Sequence, residues 1–177
     1  MPVPNFVPGE VLTAAAMDSI GLWLVKSQTV GAGVSSVVVN DAFSANYENY
    51  FVTYTGGVLS ASTNIRMQIG AATAGYYFSL IYNSFSLTTV LANVNTNNGA
   101  LWSFVGAGNT NDARLSANLY SPFLSTRTKI GTQYSEPLNG GNGNGFLDNA
   151  NSYTAFTLSP ATGTMTGGTI RVYGYRN

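Results

Sequence analysis

Proton transfer, nucleophilic attack and metal binding each need particular side chains, and this 177-residue chain has few of them. It contains no histidine and no cysteine. Ser-His-Asp and Cys-His catalysis are therefore excluded, as are the usual zinc and transition-metal sites. The remaining titratable set is seven carboxylates, Glu10, Asp18, Asp41, Glu48, Asp112, Glu136 and Asp148. A glycosidase needs two of them a few ångströms apart. Only Glu136 and Asp148 flank one predicted loop, and neither sits in a diagnostic context. Asp148 with Asn144 and Asn149, and Asp112 with Asn109 and Asn111, offer oxygens of the kind calcium prefers. Neither group has the spacing of a calcium loop, so both are expected as turns stabilised by Asx side chains. The run Asn139–Gly145 is glycine-rich but lacks the Lys-Ser/Thr of a phosphate-binding loop. It is expected as a surface loop, with an adaptable contact at an interface or receptor as its functional reading. The expectation is a protein that is not an enzyme and holds no cofactor or metal.

The composition points the same way. Only 8% of the residues are charged and the net charge is zero, against roughly 25% charged in an average domain. The seven cations, Lys26, Arg66, Arg114, Arg127, Lys129, Arg171 and Arg176, are scattered. Nucleic-acid binders cluster theirs, so nucleic acid is not expected as a partner. No apolar run reaches the roughly 20 residues of a membrane helix, so no membrane partner is expected either. The surface left over is Ser, Thr, Asn, Gly and Tyr, which can meet another protein without burying unpaired ions.

The tyrosines then matter. Tyr76, Tyr77 and Tyr82, with Phe78, occupy both faces of one predicted strand, and Tyr173 and Tyr175 share a face with Arg171. They could be cross-strand pairs that stiffen a sheet. They could equally form a subunit interface, where Tyr and Arg are enriched. Sugar binding by Trp102 or an exposed tyrosine is a third reading. The candidate interface residues are Phe6, Val7, Trp23, Tyr76, Tyr77, Arg171, Tyr173 and Tyr175.

Those residues must be positioned by the following elements. Residues 1–12 read as an extended arm, because Pro2, Pro4 and Pro8 hold the backbone near polyproline geometry. Phe6 and Val7 on it either fold back onto the domain or dock on a neighbour. Residues 13–20 read as a short helix, with Thr13 as cap, three alanines in the first turn and Gly21 as stop. From Leu22 to the C-terminus the pattern is β. Strict alternation places Ile65, Met67 and Ile69 inward, likewise Leu115, Ala117 and Leu119, and Ile170 with Val172. Further strands are expected over 22–29, 34–40, 50–54, 76–82, 101–105, 126–134 and 153–158. Gly, Asn, Ser and Pro clusters at 55–57, 71–75, 93–99, 106–112, 139–145 and 160–168 read as turns. About ten short strands at this spacing predict an all-β antiparallel sandwich, jelly-roll-like, spanning residues 22–177 as one domain.

Three segments carry a resemblance. Phe6-Val7-Pro8-Gly9-Glu10-Val11-Leu12-Thr13-Ala14-Ala15 resembles the opening of phage fibre and decoration proteins. Ala42-Phe43-Ser44-Ala45-Asn46-Tyr47-Glu48-Asn49-Tyr50 resembles a Phe-then-Tyr-x-Asn-Tyr pattern ahead of an early strand in β-rich virion domains. The run from Gly163 to Arg176, with Ile170-Arg171-Val172-Tyr173-Gly174-Tyr175, resembles their C-terminal strand. The chain is thus similar to virion surface proteins of tailed bacteriophages. The resemblance implies a β-sandwich, usually oligomeric and often trimeric, and it brings no catalytic residues.

With no heptads for a fibre shaft, the expectation is a capsid decoration (cement) protein on the outer surface of the virion. Its partners would be the major capsid protein and copies of itself, as a homotrimer. The alternative is a small tail-fibre or receptor-binding head that recognises host glycan through the loops 93–99 and 139–145.

Overall fold

The computed structural model describes residues 21–136 and 138–175. The expected arm and short helix, with Phe6 and Val7, lie outside the described residues. Every regular element among the described residues is a strand, and every strand pairing is antiparallel. In chain order they are β1 (Leu22–Thr29), β2 (Val37–Val39), β3 (Asn49–Leu59), β4 (Thr63–Ile69), β5 (Tyr76–Ser84), β6 (Val90–Gly99), β7 (Trp102–Gly108), β8 (Ala113–Tyr120), β9 (Thr128–Ser135), β10 (Asn139–Leu147), β11 (Phe156–Pro160) and β12 (Met165–Tyr175).

The sheet forks at β8. One edge of this strand pairs with β3, from Asn49↔Tyr120 to Gly57↔Ala113. Its other edge is shared. The first half pairs with β7 (Gly108↔Ala113 to Gly106↔Leu115) and the second half with β9 (Ala117↔Thr132 to Tyr120↔Lys129). One branch therefore runs β1-β12-β3-β8-β9-β10-β5-β6 and the other β2-β11-β4-β7. The inward residues of both branches form one buried cluster, giving a sandwich-like arrangement. Ile65, Met67 and Ile69 of β4, Leu115, Ala117 and Leu119 of β8, and Ile170 and Val172 of β12 are all buried, as their alternation predicted.

The Phe43–Tyr50 segment shows why its aromatics are spaced as they are. Phe43 is buried edge-on against Tyr50 at 4.9 Å. The Tyr50 hydroxyl donates to the Ser44 carbonyl (2.8 Å) and accepts from the Ser44 amide (2.7 Å), closing the turn that leads into β3. Tyr47 lies where a side chain on Gly174 would stand, so β12 needs a glycine there.

Two segments read as loops from their composition are strands. Residues 93–99 belong to β6 and 139–145 to β10, which pairs with β5 on one side and β9 on the other. Composition misleads here because glycine has two uses. It tolerates turns, and it also leaves room for a neighbour. A Cβ on Gly143 would lie 2.2 Å from the Phe78 ring, and one on Gly145 would lie 2.3 Å from the Tyr77 carbonyl. The expected turn at 55–57 is likewise a bulge within β3, where the β3–β8 register shifts and Gly56 takes φ +74°. The strand expected over 34–40 shortens to Val37–Val39.

Tyr76 ties β5 to the end of β4. Its hydroxyl accepts from the Ile69 amide at 2.8 Å and donates toward the carbonyls of Ile69 and Ala72. Burial pushes the phenol up from 10.0 to about 12. The folded state thus prefers the neutral form. Its contribution is intact below pH 10 and is lost as pH rises from 10 toward about 12. Urea midpoints measured across this window should fall for the natural protein. Tyr76→Phe should lower stability at neutral pH by about 1–3 kcal/mol, because the Ile69 amide loses its acceptor, and should flatten the alkaline decline.

Candidate interaction surface

Alternation along β3, β8 and β12 sends one set of side chains inward and the other to the outer face. Arg171, Tyr173 and Tyr175 do share that outer face, as expected. Tyr173 pairs across to Phe51, with ring centroids 6.4 Å apart. The Tyr175 hydroxyl donates to Asn118 Oδ1 at 2.5 Å. Burial pushes its phenol up, and nearby Tyr120 adds to the shift. Arg171 reaches Thr55 Oγ1 at 3.4 Å. On the adjoining edge strand β1, Leu22 and Leu24 are exposed, and they pair with Tyr175 and Tyr173. Trp23, the next residue round, is half-buried.

Tyr76 does not belong to this surface. It is fully buried and meets Trp102 edge-on at 5.3 Å. Trp102 is itself fully buried, which removes it as a sugar platform. The reason is register. In β5 the inward positions are Tyr76, Phe78 and Leu80, whereas Tyr77 points outward and stacks on Phe146 at 4.7 Å with rings 8° from parallel.

A further group of exposed apolar side chains lies elsewhere, at the tip where the β5–β6 turn meets the β9–β10 turn. The Phe85 amide donates to the Leu138 carbonyl at 3.0 Å, locking the two turns together. Phe85 is 66% and Leu138 73% exposed, with Leu87 and Val90 beside them also exposed. Sequence reasoning missed this tip, although a signal was present. No charged residue occurs between Arg66 and Asp112, a stretch that includes all of β5, β6 and β7.

The carboxylates fall differently from their sequence grouping. Glu136 and Asp148 stand at opposite ends of β10, separated by nine strand residues, or roughly 30 Å of extended chain. Asp148 pairs with Arg127 Nε at 2.6 Å. Asn109 Oδ1 accepts from the amides of Asn111 (2.7 Å) and Asp112 (3.3 Å), the Asx turn expected there. Asp112 then pairs with Arg114 Nε at 2.9 Å.

No family model matches the chain, and no curated protein matches it significantly. Among solved structures, one described as "CBM4 structure and function" aligns at 14% identity over 80% of this chain and 82% of its own, with a TM-score of 0.23. A structure of the infectious bursal disease virus Gx strain aligns at 11% identity over the whole of this chain and 46% of its own, with a TM-score of 0.18. At these scores neither likeness carries the fold or the function.

Proposed function

We propose that the chain is a jelly-roll structural protein of a virion surface. It decorates and stabilises the outside of a phage capsid through contacts with the major capsid protein and with copies of itself, as a homotrimer. Strand order supports the fold part of this reading. Set aside β5, β6, β9 and β10, and the remaining strands lie as β1-β12-β3-β8 in one branch and β2-β11-β4-β7 in the other. Each of the connections β1→β2, β3→β4, β7→β8 and β11→β12 passes from one branch to the other. A two-sheet, eight-strand jelly roll would have this strand order, and it closes a core with few open edges.

The observation that carries the function is what the four additional strands do. They extend the β8 edge outward as β9-β10-β5-β6 and end in the tip of Phe85, Leu87, Val90 and Leu138. That tip contributes nothing to the core. On the β5–β6 side its neighbours are Ser, Thr and Asn, with no charge from Arg66 to Asp112, and on the β9–β10 side Glu136 stands two residues before Leu138. Phe85, Leu87 and Val90 offer exposed apolar surface from a stretch without charge, which another copy can cover without burying unpaired ions there, so the tip is where copies join. The aromatic outer face around Tyr173, with exposed Leu22 and Leu24, is the surface left for the shell. Repetition over a lattice then adds avidity to modest single contacts.

Location is tested by copy number. Quantitative mass spectrometry of purified particles should find hundreds of copies per virion. A few to a few dozen would place the chain on a tail appendage and overturn the decoration role.

A further inference from the structure

The fork in the sheet opens a wedge. The β8–β9 ladder stops at Ala117↔Thr132. Beyond it β8 turns away with β7, while β9 continues to Ser135 paired only with β10. The wedge between them is a cavity of about 300 Å³, at the lower end of the roughly 300–1,000 Å³ typical of ligand sites. Its apolar lining comes from Ala107 and Leu115, with Gly106 between the strands. Its polar lining includes Asp112 just before β8, Arg114 on β8, Thr55 of β3, Gln133 and Tyr134 from β9, and Glu136 just after β9.

Arg114 and Asp112 form an exposed ion pair at 2.9 Å at the mouth of the wedge. The Tyr134 ring is set edge-on against Phe104 at 4.9 Å, and its hydroxyl donates to Glu136 Oε2 at 3.4 Å. Burial pushes the Glu136 carboxyl up, with Asp112 nearby raising it further. The wedge therefore brings together two carboxylates far apart in sequence.

We propose that the wedge is a binding site for a short neutral saccharide. A carboxylate accepts from adjacent sugar hydroxyls, a guanidinium and an amide donate to sugar oxygens, and the apolar wall takes the C–H face of the ring. The charges decide against an acidic ligand. Asp112 is already paired with Arg114, and Glu136, which has no ion-pair partner among the described residues, disfavours a uronate or sulfate beside it. Glu136 belongs to the β9–β10 turn that also carries Leu138, whereas Gln133 lies within β9, so loss of sugar binding in Gln133→Ala should leave the mass of the assembly unchanged.

The test is titration of the full-length, isotope-labelled chain, followed by amide NMR, with a panel of glucose, galactose, mannose, N-acetylglucosamine and their disaccharides. Glucuronic acid, galactose-6-sulfate and calcium chloride alone serve as comparators. At least one neutral sugar should shift the amides of Arg114, Gln133 and Glu136, and none of the comparators should. Glu136→Gln and Gln133→Ala should each weaken that binding about tenfold, with amides outside the wedge unchanged. No shift with any neutral sugar, shifts confined to another surface, a stronger response to an acidic sugar or to calcium, or full binding by both variants would overturn the proposal.

Discussion

Replacing Trp102 with alanine should cost about 3–5 kcal/mol of folding stability, read from urea unfolding. Whole domains of this size hold roughly 5–15 kcal/mol, so the variant should be unfolded or close to it at physiological temperature. Trp102 is among the largest fully buried side chains. It sits on β7 opposite Met67 of β4 and meets Tyr76 of β5 edge-on. It therefore packs where β4 and β7 meet β5 of the four-strand extension. Among the described residues its indole nitrogen is buried with no hydrogen-bond partner. Trp102→Phe keeps a ring and discards that orphan donor, so it should cost clearly less than Trp102→Ala. Equal losses in the two variants would mean that the cavity is not what matters there.

The second large effect concerns two glycines of opposite sign. A Cβ on Gly141 would stand 2.2 Å from the Ile81 carbonyl oxygen and within 2.7 Å of the Tyr82 backbone. Backbone cannot rotate aside as a side chain can. Gly141→Ala should therefore push β10 off β5 and cost about 1–3 kcal/mol or more. Gly131 lies one strand over, on β9. A Cβ there meets nothing closer than Asn144 Oδ1 at 3.7 Å, and the residue has no positive φ. Gly131→Ala should stabilise by about 0.4–1 kcal/mol through a less flexible unfolded chain. Parallel urea curves of the two variants check both signs at once. Equal behaviour would contradict the placement of β10 as a strand packed between β5 and β9.

These variants also mark what could be read from the sequence and what could not. Period-two alternation found the inward faces of β4, β8 and β12, because each has one wet and one buried side. It could not assign Tyr76 and Tyr77, since both faces of β5 carry aromatics and only register separates them. Composition failed at Asn139–Gly145, where the glycines make room for Phe78 and the backbones of β5. Glu136 and Asp112 meet only because the sheet forks at β8, and no local pattern encodes a fork. The apolar tip was within reach, since the long uncharged stretch before Asp112 already set the β5–β6 hairpin apart from the rest of the chain.

Self-association through the tip of the four-strand extension is the central claim, and the mass of the full-length chain in solution tests it most directly. Size-exclusion chromatography with light scattering should give a discrete species near three times the 18.6 kDa chain mass. The double variant Phe85→Asp with Leu138→Asp should run at the mass of one chain with an unchanged circular dichroism spectrum. A natural protein that stays at single-chain mass at every concentration, or a double variant that keeps the full assembly, would contradict it.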